Sequence, residues 1–239
     1  MSENKLEVSR VMGIFAHPDD AEFFAGGTLA KFAAAGAEVT LVLATSGDKG
    51  SPEPDMTSER LAEIREAETE AAAAVLGCER VVFLRYKDGE LTPSLDLRRD
   101  LVRLIRLRKP DVVITTDPTA FWYGTGYINH PDHRAIGEVT LAAVFPTARD
   151  RLNFIEQERD EGLMAHKTAR LYIAAPLERT TVVDVTEHME TKIRALEAHK
   201  SQFEATDDAK QRLRERALDR EAPEDAPRYV EHFRVMKLS

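Results

Sequence analysis

The sequence holds one cysteine, Cys78, in 239 residues. That excludes an internal disulfide and a cysteine zinc cluster, and it fits a reducing compartment. No apolar run approaches the roughly 20 residues that a membrane span needs. The start, Met1 to Glu7, is polar where a secretory leader would be apolar. These absences predict a cytoplasmic protein with no membrane partner. Basic residues are also short: 33 Lys and Arg stand against 42 Asp and Glu, for a formal charge of −9. A duplex nucleic-acid binder carries the opposite balance, so no nucleic-acid partner is expected. Gly124-Thr125-Gly126 completes no G-x-G-x-x-G fingerprint and opens no helix directly after a strand, which argues against dinucleotide binding.

What is present is a regular alternation. Apolar runs at 11–16, 39–44, 81–84 and 111–116 read as strands. Between them lie amphipathic segments at about 25–35, 57–76 and 97–108, with Gly36, Gly77 and Lys109-Pro110 as stop signals. A helix is expected from Pro131 to about Phe145, a short one at 151–159, strands at 171–174 and 181–185, and a helix at 187–200. Strands alternating with helices predict an α/β fold with a doubly wound, mainly parallel, Rossmann-like sheet. Residues 1–239 are expected to form a single domain, with a charge-rich helical extension over about 204–239.

The first strand ends abruptly in His17-Pro18-Asp19-Asp20. Pro18 fixes its own φ and pushes His17 to an extended conformation, so the chain turns at once. Such a turn aims His17 and Asp20 into one space, which is half a metal site, and leaves Asp19 over as an acid or base. The alternative is that the two aspartates cap the helix that follows. A second cluster, His130-Pro131-Asp132-His133, stands after the fourth strand. With strand order 3-2-1-4-5, ligands bind where the order reverses, at the carboxyl ends of strands one and four, and both clusters meet there. His17, Asp20 and His133 then supply three ligands with one position open, as in a catalytic zinc site. Asp19 is a free carboxylate beside them and His130 a free imidazole. Metal, base and donor together describe hydrolysis of an amide or ester.

These residues carry a resemblance. Ala16-His17-Pro18-Asp19-Asp20-Ala21-Glu22 with Gly26-Gly27-Thr28, and His130-Pro131-Asp132-His133, resemble the PIG-L/LmbE-like zinc de-N-acetylases. Arg65-Glu66, the Leu76-Gly77 helix end and Ala198-His199-Lys200-Ser201-Gln202 are softer matches. The resemblance implies zinc on His17, Asp20 and His133, with Fe2+ or another divalent metal as alternatives. It implies Asp19 as general base and then acid, His130 as stabiliser of the tetrahedral intermediate, and Asp132 as the group that holds the His130 ring and raises its pKa. Arg65 matches a sugar-hydroxyl contact and Asp88 a second one. The implied activity is removal of acetyl from an N-acetylated amino sugar of the N-acetylglucosaminyl type. Alternatives are an amidase of a thiol-sugar conjugate and a non-catalytic, metal-dependent sugar-binding protein. A small-molecule N-acetylated sugar is the expected partner and a homo-oligomer the expected assembly. One departure stands out: mycothiol-pathway members carry a tyrosine where Ile128 stands here, and Tyr127 is one place off. His199 is expected to pack or contact a subunit rather than bind metal.

Overall fold

Val11 to Phe15, Val39 to Ala44 and Val112 to Ile114 are apolar at nearly every position, as strands covered on both faces must be. The computed structural model describes residues 8–223 and 225–238, and it sets these runs side by side in the middle of a sheet. The chain runs β1 (Arg10–Phe15), α1 (Asp20–Ala34), β2 (Glu38–Thr45), α2 (Ser58–Leu76), β3 (Arg80–Tyr86), α3 (Leu95–Arg108) and β4 (Val112–Thr116). A hairpin follows, β5 (Trp122–Tyr123) and β6 (Tyr127–Ile128), then α4 (Pro131–Val144), α5 (Ile155–Glu161), β7 (Arg170–Ala174), β8 (Thr181–Asp184), α6 (Met189–Leu196), α7 (Asp207–Ala217) and β9 (Val230–Lys237).

The main sheet has the order β3-β2-β1-β4-β7-β9-β8. Its first four pairings are parallel, and β9 runs antiparallel to both β7 and β8. The expected doubly wound, mainly parallel sheet is therefore present, including the reversal of order at β1 and β4. Side chains alternate between two cores. Met12, Ile14 and Val42 point toward Leu97 and Leu101 of α3 and Ile136 and Val139 of α4. Val11, Phe15 and Leu41 point the other way, toward Leu29 of α1 and Ala72 and Leu76 of α2. A third, smaller cluster packs Leu213 and Ala217 of α7 on Met189, Ile193 and Leu196 of α6. Among the described residues no helix is long and apolar enough to cross a membrane.

Three elements differ from expectation. Helix α1 begins at Asp20, not near residue 25, so the His-Pro-Asp-Asp turn leads straight into it. The loop after β4 contains the β5–β6 hairpin. The C-terminal segment is not wholly helical: α7 is followed by β9, which inserts between β7 and β8. Glu231 obscures that strand in the sequence. Its buried carboxylate accepts from the amides of Gly27 and Thr28 at 3.0 and 2.8 Å and from Lys192 Nζ at 2.7 Å, so a charged residue faces inward where the alternation calls for an apolar one. The close approach of α1 here requires Gly27, since a Cβ would lie 2.7 Å from Val185.

Arg106 of α3 is fully buried. Its guanidinium donates to the carbonyls of Thr147, Ala148, Asp150, Asn153 and Phe154 and to Gln157 Oε1. It thus supplies the donors that the irregular segment after α4 lacks.

Candidate active site

The turn between β1 and α1 places Asp19 at φ 84° and ψ −24°, with the Asp20 amide 3.4 Å from the His17 carbonyl. Those are the features of a type II turn with Pro18 second and Asp19 third. Neither aspartate caps the helix as the alternative reading has it. Asp19 occupies the N-cap position but makes no side-chain cap bond. Asp20 folds back instead: its Oδ2 accepts from the amides of His17 and Ala16 at 2.9 and 3.2 Å. That leaves Oδ1 to face the space beyond the strand end.

The second cluster opens α4, with Pro131 at its first turn. Parallel pairing of β1 with β4 brings the two clusters together. His133 Nε2 lies 3.0 Å from Asp20 Oδ1 and 3.2 Å from His17 Nδ1, and His17 Nδ1 lies 3.5 Å from Asp20 Oδ2. The outward ring nitrogens are both engaged. His133 Nδ1 meets Asn129 Oδ1 at 3.0 Å, and His17 Nε2 meets Asp88 Oδ1 at 3.1 Å and Asp132 Oδ2 at 3.3 Å. Acceptors on the outside fix each ring's tautomer and direct the other nitrogen inward. Two inward nitrogens and a carboxylate oxygen, all within 4.8 Å of one another, are a donor set that fits zinc or another divalent transition metal. His17, His130 and Asp132 also lie close enough to share an ion. Asp132, however, is committed to the amides of Gly89 and Leu91 at 2.8 and 3.3 Å, which makes the first set the better fit.

The electrostatics agree. Burial opposes a charge on His17, yet Asp132, Asp20 and Asp88 overcome it and push the ring up to about 12. Burial alone would raise Asp20, but His133 and His17 hold it well below the usual carboxylate range. The centre therefore attracts positive charge, whether a proton's or a metal ion's. Asp19 behaves oppositely: burial first, then the charges of Asp20 and Glu22, push its carboxyl well above the ordinary value.

The Asp132 carboxylate comes only within 3.9 Å of His130 Nδ1, a looser contact than the ring-holding role that the resemblance implies. His130 Nδ1 accepts from the backbone amide of Asp132 at 3.2 Å, a cap of its own helix, while the Asp132 carboxylate serves His17 and the 89–91 backbone. Burial, followed by the nearby His17, lowers the His130 pKa rather than raising it. With Nδ1 accepting, a neutral His130 carries its proton on Nε2.

A cavity of about 980 Å3 opens over this centre. Segments after β1, β2, β3, β4 and β7 all contribute to its wall, through His17, Lys49, Asp88, His130 and Ala175 among others. Arg65 and Asp88 both line it. Arg65 is buried, and its Nη1 donates to the carbonyls of Gly47 and Lys49, so it also shapes the loop after β2. Tyr127 lines the cavity, whereas Ile128 is 85% exposed; the one-place offset in the sequence still delivers a tyrosine to the wall. Trp122 is 67% exposed and does not line it. Sequence reasoning missed Asn129 as the partner of His133, although its place one helical turn earlier was a signal. It also missed the Asp132–His17 contact, for which no local signal exists. His199 is fully buried, with Nε2 3.3 Å from Glu22 Oε2, as a packing role requires.

Residues 12–144 match the family model described as PIG-L, GlcNAc-PI de-N-acetylase. The chain belongs to the PIG-L family. It is 32% identical over 197 residues to the diacetylchitobiose deacetylase of Thermococcus kodakarensis, a match covering 82% of this chain and 71% of the relative. A 1D-myo-inositol 2-acetamido-2-deoxy-alpha-D-glucopyranoside deacetylase from Actinosynnema mirum is 32% identical over 233 residues, covering 81% and 80%. Among solved structures, the N,N'-diacetylchitobiose deacetylase of Pyrococcus horikoshii superposes with a TM-score of 0.84 at 32% identity, over 97% of this chain and 85% of that one. Like the other members of the PIG-L family named here, the chain is a hydrolase of amide carbon–nitrogen bonds.

Proposed function

We propose that this protein removes the acetyl group from an N-acetylglucosaminyl unit of a small-molecule substrate, with zinc held by His17, Asp20 and His133. The observation that carries the reading is the convergence of His17 Nδ1, Asp20 and His133 Nε2, with Asp19 and His130 lining the same cavity. Bound there, a divalent cation supplies Lewis acidity, acidifying water and polarising the amide carbonyl. The remaining work falls to the chain's own groups. The raised pKa of Asp19 suits a carboxylate that first takes a proton from the attacking water and then returns it to the departing amine. His130, whose ring lies 4.6 Å from that of His17, offers its Nε2–H to the oxyanion as the carbonyl becomes tetrahedral. Arg65 and Asp88, on the cavity wall, orient the sugar.

The cavity, at about 980 Å3, sits at the upper end of the roughly 300–1,000 Å3 range of small-molecule pockets. That supports a disaccharide or sugar conjugate as the substrate. The test is acetate release from N-acetylglucosamine, diacetylchitobiose and an N-acetylglucosaminyl-inositol, with added zinc and with chelator. Zinc-dependent release from at least one of the larger substrates is expected. Release from none of them would overturn the N-acetylglucosaminyl substrate.

A further inference from the structure

A type II turn asks for glycine at its third position, because φ there is positive. Asp19 fills that position at φ 84°, a conformation that its Cβ makes less favourable than it is for glycine. An easy relief exists. Rotating the Pro18–Asp19 peptide plane by about half a turn converts type II to type I and takes Asp19 to a negative φ. Proline at the second position is compatible with both types, so Pro18 does not prevent the flip. What distinguishes the two is the direction of the Pro18 carbonyl.

That carbonyl has a donor from far along the chain. Gln202 Nε2 donates to Pro18 O at 3.1 Å. Gln202 Oε1 has no hydrogen-bond partner among the described residues, so the carboxamide's one bond is to this peptide. The segment that presents it is fastened on both sides. The amides of Gln202 and Phe203 donate to the His199 carbonyl at 3.0 and 2.8 Å. The buried His199 ring lies against Glu22, three residues after Asp19 in α1. The amide and hydroxyl of Ser201 both reach Glu68 of α2, at 2.9 and 2.6 Å.

We infer that Gln202 is a positioning residue for catalysis: its carboxamide holds the Pro18–Asp19 peptide in the type II orientation and so keeps the Asp19 carboxylate turned to the reacting centre. The inference rests on the reading of Asp19 as general base. Gln202→Met preserves length and removes the donor. It is expected to lower kcat about tenfold, the weight of one hydrogen bond, with KM within about twofold of the parent and metal content unchanged. In an Asp19→Asn background the same substitution should lower kcat by less than about twofold, because the group it positions is already lost. Equal losses in both backgrounds, a raised KM in place of a lowered kcat, or no loss at all would overturn the role. Gln202→Glu, isosteric but unable to donate when ionised, should reproduce the effect and serves if the methionine variant folds poorly. A crystal structure of either variant tests the brace without any substrate: a negative φ at Asp19 supports it, and retention of φ near 84° overturns it. If instead Asp19→Asn keeps full turnover, or no N-acetylated sugar is cleaved, the general-base reading fails, and the crystallographic comparison still decides what holds the turn.

Discussion

His133 Nδ1 meets the side-chain oxygen of Asn129 at 3.0 Å, one helical turn earlier in the chain. The contact fixes which ring nitrogen points at Asp20 and His17. Asn129 is itself held by a bond from its Nδ2 to the Ala120 carbonyl at 2.7 Å, so the imidazole is aimed by a rigid support. We predict that Asn129→Ala weakens metal affinity roughly 10–100-fold. Competition against a chromogenic chelator measures it. An unchanged affinity would show that His133 needs no outer support.

Asp19→Asn should retain metal and thermal stability yet lose about 10²–10⁴-fold in kcat, the usual cost of removing a general base. Metal analysis beside steady-state kinetics separates this from a ligand defect. Loss of metal in Asp19→Asn with retention in Asp20→Asn would reverse the assignment of the two aspartates.

His130 and Asp132 should part company. His130→Ala is expected to keep its metal while kcat falls roughly 10²–10³-fold, as for the loss of one oxyanion donor. Asp132→Asn should act through His17 and the 89–91 backbone instead, weakening metal binding along with turnover. Identical phenotypes for the two variants would mean that Asp132 does serve His130 after all.

The difference between those two residues marks where the sequence stops being legible. His17, Asp20 and His133 could be read because each sits in a short motif at a strand end, and strand order alone brings the motifs together. The partner of Asp132 could not be read, because it depends on the path of a loop relative to a residue 115 positions away. Helix α1 starts ahead of the expected residue 25 because the apolar face at Leu29, Phe32 and Ala33 marks only its later turns, while its first turn carries Asp20 and Glu22. Strand β9 was hidden by Glu231, whose inward charge is matched by Lys192 and two amides. Arg106 was invisible for a similar reason, since an arginine on an amphipathic helix reads as solvent-facing until the carbonyls around it are known.

Arg106→Met tests that last point. It leaves several buried carbonyls without their donor, which should destabilise the fold by roughly 3–5 kcal/mol and lower Tm by roughly 10 °C. Because Arg106 lies outside the cavity wall, the KM of the folded variant should match that of the parent. Thermal denaturation that overlays the parent's would show that water replaces the guanidinium without cost.

The most direct measurement is a zinc titration of the metal-stripped protein, following acetate released from an N-acetylglucosaminyl substrate. We predict negligible release at the start, a linear rise and a plateau at one equivalent of zinc per chain, with no rise for His133→Ala. Full acetate release by the stripped protein, or a His133→Ala variant that titrates like the parent, would contradict the assignment of His17, Asp20 and His133 as the centre of the reaction.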